Sequence, residues 1–313
     1  MLSTELDRRL GLELGYLEKA TGVRSRYICE EENQIGLAVA ASRRAMEEAE
    51  IGADDIDLVL GACGIPYQTL PTTAPLVMHR LGIADGAAAA HDVNSTCLSF
   101  LTAFELAATK IAAGLCRAAL VFSSEIASRA LPWREQPDVA ALFGDGAAAA
   151  VLVASPDGRS GILASRLESY PTAYDACEIG AGGTRFDFHR EPETFARHAM
   201  FRMDGKELFR VTHRHFPNFV EKVLAVAGWS RSDVDLVVPH QASPLALGHM
   251  VQHTGMEESR VVSIAARLGN QIAASIPTAL DIARRDGRIR PGMRVLLLGT
   301  SAGVSFGGMA IEV

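Results

Sequence analysis

Cysteine is scarce and unpatterned in this chain: five thiols in 313 residues, with no C-x-x-C pair and no Cys/His ligand spacing. A disulfide scaffold and a structural zinc module are thereby excluded, and the expectation is a reduced, cytoplasmic protein with no metal or redox cofactor. Positive charge is also short. Thirty Lys and Arg stand against 37 Asp and Glu, a net charge of −7, the reverse of the balance a nucleic-acid binder carries. Long apolar runs are missing. Ala147 to Ala154 is among the longest, at most about half of the roughly 20 residues a membrane-spanning helix needs. The opening MLSTELDRRLGLELG mixes acidic with basic residues and has no apolar core, so it does not read as a secretory signal. No Pro/Ser-rich linker or low-complexity tract divides the chain. What remains is 48% hydrophobic and 21% charged, enough for one large core or two packed halves.

The chain contains an internal echo. Asp55-Ile56-Asp57-Leu58-Val59-Leu60 matches Asp233-Val234-Asp235-Leu236-Val237-Val238, and each follows a helical stretch. After each come a turn and a helix, Thr72 to Leu81 closed by Gly82 and Pro244 to Thr254 closed by Gly255. Ala118 to Phe122 and Arg294 to Leu298 are a second matched pair of strand-like runs. Short apolar strands between helices predict an α/β fold with buried strands. The repetition predicts two pseudo-duplicated halves, 1–156 and 157–313, joined near Ser155-Pro156-Asp157-Gly158. Glu168 to Met203 is rich in Gly, Pro and mixed charge and is expected to form loops, short strands and a lid.

Asn94-Ser95-Thr96-Cys97-Leu98 opens a run to Ala113 with apolar residues on nearly every face, closed by Gly114. Such a helix is central rather than superficial. Cys97 at its start is expected to feel the positive end of the helix dipole and to have a lowered pKa; on position alone it reads equally as nucleophile and as inert core thiol. His240, in Val238-Pro239-His240-Gln241, directly follows a buried strand, where α/β folds hold their chemistry. His213, His215, His249 and His253 fall on helical stretches and read as solvated surface. Asn270 lies in the turn Leu268-Gly269-Asn270-Gln271, which on its own reads as structural. Together, Cys, His and Asn suit thioester chemistry: a thiolate forms an acyl intermediate, and an imidazole and an amide hold a carbonyl that becomes an enolate. The turn Gly299-Thr300-Ser301-Ala302-Gly303 offers backbone N–H groups for an oxyanion.

These segments, with Phe143-Gly144-Asp145-Gly146-Ala147 and the closing Gly303 to Gly308 run, resemble the thiolase superfamily, and within it the β-ketoacyl-acyl-carrier-protein synthase III family. The resemblance covers nearly the whole chain. It implies a five-layer αβαβα fold and a homodimer. It also implies a catalytic Cys97, His240 and Asn270, with the backbone of Cys97 and Ala302 as oxyanion hole. The implied partners are an acyl-CoA or acyl-carrier protein, which loads Cys97, and a malonyl thioester, which loses CO₂ and attacks the acyl group. Departures from the family accompany the match. The strand and Gly-rich turn that usually precede the equivalent of Leu2 are missing. Tyr16 and Ala20 align with a Trp and an Arg that grip coenzyme A in acetyl-primed members; Pro137 and Leu245 align with further basic positions, for which Arg129 or Arg134 is a possible substitute. Leu70 replaces a bulky Phe that reaches across the dimer and limits acyl length, so Tyr16 and Leu70 are expected at the substrate and a longer or bulkier acyl group is implied. Lys206, Arg210 and Arg214, spaced i, i+4, i+8, form a stripe that suits an acidic carrier protein or a phosphopantetheine phosphate, or simply a solvated helix face; Pro217 is expected to bend or restart that helix. The alternatives to decarboxylative condensation are head-to-head condensation, acyl transfer to an alcohol or amine, and an inactive partner subunit. A papain-type hydrolase would lack the repeat.

Overall fold

A computed structural model of the chain describes residues 1–156 and 158–313. Its helices are α1 (Ser3–Leu10), α2 (Tyr16–Thr21), α3 (Gln34–Glu48), α4 (Thr73–Leu81), α5 (Ser99–Ala112), α6 (Pro137–Ala140), α7 (Pro192–His198), α8 (Gly205–Ala227), α9 (Pro244–Thr254), α10 (Ala265–Leu268) and α11 (Ser275–Arg285). The strands are β1 (Leu58–Gly61), β2 (Ala89–Asp92), β3 (Ala118–Glu125), β4 (Gly146–Val153), β5 (Gly161–Ser169), β6 (Cys177–Glu178), β7 (Arg202–Met203), β8 (Leu236–Pro239), β9 (Arg294–Ser301) and β10 (Ser305–Glu312). Two four-stranded sheets have the orders β2-β1-β3-β4 and β5-β10-β9-β8, and β6 pairs with β7 in a small ribbon.

The period-2 alternation of each strand sorts its side chains into separate cores. Leu58 and Leu60 of β1, Ala119 and Val121 of β3, Leu236 and Val238 of β8, and Val295 and Leu297 of β9 all face one central cluster. That cluster includes Phe100, Leu101 and Ala103 of α5 and Ile276, Ala279 and Ala283 of α11, so the two helices are sandwiched between the sheets. The alternate residues face outward onto helices: Val59, Leu120 and Phe122 meet α3 and α4, while Val237, Leu296 and Leu298 meet α8. Helix, sheet, helix, sheet, helix is the five-layer arrangement. Because both faces of each inner strand are covered, the strands read as continuous apolar runs.

The echo in the sequence is an echo in the hydrogen bonds. Asp57 accepts from the backbone N–H of Arg117 at 2.7 Å, and Asp235 accepts from that of Arg294 at 2.8 Å. Ala62 N–H donates to Phe122 O, and His240 N–H to Leu298 O, each at 2.7 Å. β10 lies between β9 and β5, whereas β4, its counterpart, pairs with β3 alone among the described residues. β5 therefore has no counterpart in the first sheet. β4 ends at Val153 and β5 begins at Gly161 in the other sheet; Asp157, at the expected junction, lies outside the described residues.

One expectation is corrected here. Pro217, expected to bend or restart its helix, does not restart it, since α8 runs unbroken through it from Gly205 to Ala227. The hydrogen bond that Pro217 cannot donate is lost, but Phe216, Phe219, Val220 and Val223 are buried against the second sheet and hold the helix on course. The segment 168–203 does consist of short elements: a 3₁₀ turn at Pro171–Ala176, the β6–β7 ribbon and α7.

Candidate active site

A single local motif, used twice, builds the floor of the site. Asn94 Oδ1 accepts from Thr96 N–H at 2.9 Å, and Asn270 Oδ1 accepts from Ile272 N–H at 2.8 Å. Ser99 Oγ accepts from Ser95 N–H at 2.9 Å, and Ser275 Oγ accepts from Gln271 N–H at 3.0 Å. Thr96 and Ile272 both take φ +50°, a conformation that non-glycine residues seldom adopt and that here clusters at a candidate functional site. Each then enters a 3₁₀ turn, Thr96–Leu98 or Ile272–Ala274, that feeds α5 or α11. In this register Asn94-Ser95-Thr96-Cys97-Leu98-Ser99 matches Asn270-Gln271-Ile272-Ala273-Ala274-Ser275. Cys97 therefore occupies in one half the place that Ala273 holds in the other.

Glycines let these turns close on each other. A Cβ at Gly299 of β9 would lie 2.7 Å from the Leu98 side chain and 3.1 Å from His240 Cβ. A Cβ at Gly146 would lie 2.0 Å from the amide nitrogen of Gln271, and one at Gly144 would lie 2.2 Å from Leu268 O. Asp145 between them is buried and accepts from Cys29 N–H (2.7 Å), Ser128 N–H (3.0 Å) and Ser128 Oγ (2.7 Å). Gln241 is fully engaged behind the histidine. It donates to Pro239 O and Val262 O at 2.8 and 3.0 Å and accepts from Ile264 and Ala265 N–H at 2.8 and 3.1 Å.

Cys97, His240, Asn270 and Ala302 all line one cavity of 760 Å³ with predominantly apolar walls, including Leu142, Phe143, Phe201, Met203 and Ile272. The amide of Asn270 is oriented by its Oδ1 contact, and the backbone N–H groups of Ala302 and of Cys97 itself act on the Cys97 thiol in the direction that lowers its pKa. Thr96 Oγ1 touches Ser301 Oγ, which donates to Ser95 O at 2.9 Å. This ties the glycine turn to the cysteine turn.

The expected low pKa of Cys97 is overturned. Burial pushes the thiol up, nearby Cys177 and Glu125 push in the same direction, and the two N–H groups only partly offset them. Cys97 sits in a 3₁₀ turn before α5 begins at Ser99, and desolvation is the largest influence on its thiol. His240 is also desolvated, which lowers its pKa to about 4; its Nδ1 is buried without a partner. The resting pair is thus a neutral thiol and a neutral imidazole. Glu125, at the end of β3, is wholly buried and held by Gly64 and Ile65 N–H at 2.5 and 3.2 Å; burial raises its pKa to about 8.

Leu70 and Tyr16 do not line the cavity of this chain: Leu70 is 84% exposed in its loop and Tyr16 is exposed on α2. Lys206, Arg210 and Arg214 lie on the exposed side of α8. Arg210 pairs with Glu207, and among the described residues no ion pair involves Lys206 or Arg214. Two sets of cavity residues escaped the sequence reading. Cys177, in the expected lid, faces the cavity that holds Cys97, and so do His213, His249 and His253; His213 and His253 are exposed as expected and His249 is partly buried, so what went unread is that the three share the cavity rim. A 36-spacing between helical histidines on different elements leaves no local signal. The i, i+4 pair His249/His253 was the one visible hint.

Residues 91–171 match the family model described as 3-oxoacyl-[acyl-carrier-protein (ACP)] synthase III, and residues 224–313 match its C-terminal model. A β-ketoacyl-[acyl-carrier-protein] synthase III of Rhizorhabdus wittichii is 36% identical over 311 residues, covering 99% of this chain and 94% of that protein. A β-ketoacyl-[acyl-carrier-protein] synthase III 3 of Streptomyces coelicolor is also 36% identical over 311 residues, covering 99% of this chain and 92% of its own length. Among solved structures, the 3-oxoacyl-[acyl-carrier-protein] synthase III of Aquifex aeolicus superposes with a TM-score of 0.89 at 28% identity, covering 100% of this chain and 95% of that one.

Proposed function

The chain belongs to the 3-oxoacyl-[acyl-carrier-protein] synthase III family of acyl-transferring, condensing enzymes, and from that premise we propose that it joins an acyl group carried on Cys97 to a malonyl thioester, in fatty-acid or related specialised acyl synthesis. Residues 1–156 supply the nucleophile and 157–313 the histidine and asparagine. In loading, Cys97 Sγ attacks the acyl carbonyl and neutral His240 relays the thiol proton to the departing CoA or carrier thiolate. The tetrahedral oxyanion is held by the N–H groups of Cys97 and Ala302. In condensation, the malonyl C–CO₂⁻ bond breaks and its electron pair forms an enolate whose oxygen is hydrogen-bonded by His240 and Asn270. The enolate carbon then attacks the acyl carbonyl, and the Cys97 thiolate leaves and takes up a proton. The observation that carries this reading is the meeting of Cys97, His240, Asn270 and the Ala302 turn on one apolar cavity. An imidazole kept neutral by burial suits the hydrogen-bonding role asked of it.

The cavity's apolar walls favour an acyl group larger than acetyl. The exposed stripe of Lys206, Arg210 and Arg214 is the proposed carrier surface. The proposed homodimer forms at the edge of β2, whose outer side carries no strand among the described residues, with exposed Leu70 reaching toward the second copy. The proposed location is the cytoplasm; among the described residues no helix is long and apolar enough to cross a membrane.

The test is intact-mass spectrometry of the protein incubated with acyl-CoAs from C2 to C12 and dicarboxylic ones, followed by addition of malonyl-carrier protein. A single acyl adduct, abolished by Cys97→Ala and retained by Cys177→Ala, followed by a β-ketoacyl product with CO₂ release, is expected. Stable acylation without condensation would transfer the assignment to simple acyl transfer, and no acylation with any donor would leave a non-catalytic subunit.

A further inference from the structure

The rim of the cavity carries a second constellation, independent of the acyl chemistry. His249 and His253 lie one turn apart on α9, and His213 comes from the facing α8. One ring nitrogen from each lies within 4.8 Å of those of the other two. The rings are packed together, with centroids 4.4 Å apart for His249–His253 and 4.6 Å for His213–His253. Phe209 covers both His213 and His249 from the apolar side.

Two details distinguish this group from a chance stack. His253 Nδ1 lies 2.8 Å from His249 O; a carbonyl can only accept, so Nδ1 carries the proton and Nε2 is left with a free lone pair. A metal-binding histidine is typically oriented in this way, its other nitrogen donating to a backbone carbonyl. His249 Nε2, for its part, is buried and has no hydrogen-bond partner, which leaves a polar atom unsatisfied unless something binds it. Two histidines at i, i+4 on one helix with a third from a neighbouring element form a recurrent divalent-metal donor set.

We propose that His213, His249 and His253 bind one divalent transition-metal ion of the zinc type at the mouth of the acyl cavity. Neutral imidazoles select such ions over magnesium or calcium. Metal–nitrogen bonds of 2.0–2.1 Å place three nitrogens of a tetrahedral site about 3.3 Å apart, a contraction that falls to the exposed His213 side chain while the His253 ring keeps its bond to His249 O. Three protein ligands leave the fourth position open, and all three histidines line the cavity. The open position is thus presented to an anionic oxygen on an entering thioester, beside Leu245, which offers no charge.

The experiment is calorimetric titration of the metal-free protein with Zn²⁺, with Co²⁺ absorption as a second readout, on the wild type and on His249→Asn, His253→Asn and the control His215→Asn. His215 stacks on Tyr170 outside the group. One Zn²⁺ per chain is expected, with affinity falling about 10-fold or more in each of the first two variants and unchanged in the control. The Co²⁺ spectrum should be tetrahedral without a thiolate charge-transfer band. Failure to bind stoichiometrically, binding indifferent to both substitutions, or a thiolate band that places the ion on Cys97 or Cys177 would each overturn the proposal. None of these outcomes bears on acyl loading at Cys97, which the mass measurement reads separately.

Discussion

At His240 the decisive quantity is desolvation. Its pKa is lowered from 6.5 to about 4, so between those values the unfolded chain binds a proton that the native one refuses. The corresponding stability is fully present above pH 6.5 and is lost as the pH falls through 4, amounting to about 3 kcal/mol at the acid limit. Denaturant unfolding of wild type and His240→Asn at pH 7 and pH 4.5 should show a smaller acid loss in the variant. Equal losses would mean that the imidazole is not held neutral. Cys97 obeys the same physics with the opposite sign: burial raises the thiol, so alkylation of Cys97 should keep accelerating as the pH rises past the ordinary thiol range. A rate already level at neutral pH would show a preformed thiolate. Sequence put Cys97 before a helix and His240 after a strand, where the structure has them, but expected a lowered rather than a raised Cys97 pKa, because a helix start is visible in a chain of letters and the surrounding packing is not.

At the level of elements, β9 is the hinge of the site, because it carries Gly299 between Leu98 and His240. Gly299→Ala places a methyl group 2.7 Å from Leu98 and 3.1 Å from His240 Cβ. Relief requires the Leu98 side chain to turn away and the histidine turn to give by a few tenths of an ångström. The expected cost is about 1–3 kcal/mol of stability, and condensation should fall more than acyl loading if His240 has the role proposed for it in the second step. Unchanged Tm and unchanged single-turnover condensation would show that the contact is slack. The strands and the helices closed by Gly82 and Gly255 were legible because short continuous apolar runs and left-handed glycine caps are local signals. The pairing of the Asn94 and Asn270 turns was less so, since only Asn and Ser recur at matching places and the shared φ of Thr96 and Ile272 has no signature in either residue type. That α8 does not restart at Pro217 was illegible for a related reason. The proline's cost is local, whereas Phe219, Val220 and Val223, which outweigh it, act through the second sheet.

Across the whole molecule, Cys97, His240 and Asn270, far apart in sequence, line a common cavity, and α8 has a cavity-lining side and an exposed basic side. Leu70 and Tyr16 lie exposed and outside the cavity formed here, so the substrate contact expected of them is not made within the single chain. The basic side of α8 can be tested as it stands. Arg210 is already engaged by Glu207, so Lys206 and Arg214 hold the charge available to a partner. On a chain of net charge −7, a local cationic stripe governs encounter with an acidic carrier more than it governs stability, and solvent-exposed charges are screened within about 10 Å at 0.1 M salt. Lys206→Glu/Arg214→Glu should therefore raise KM for malonyl-carrier protein by about 10-fold or more at low salt, with kcat nearly unchanged and the difference from wild type shrinking as salt is added. Tm should move little, because exposed charges contribute little to folding. A fall in kcat with unchanged KM would place the effect inside the cavity, and an unaltered KM would return the stripe to an ordinary solvated helix face.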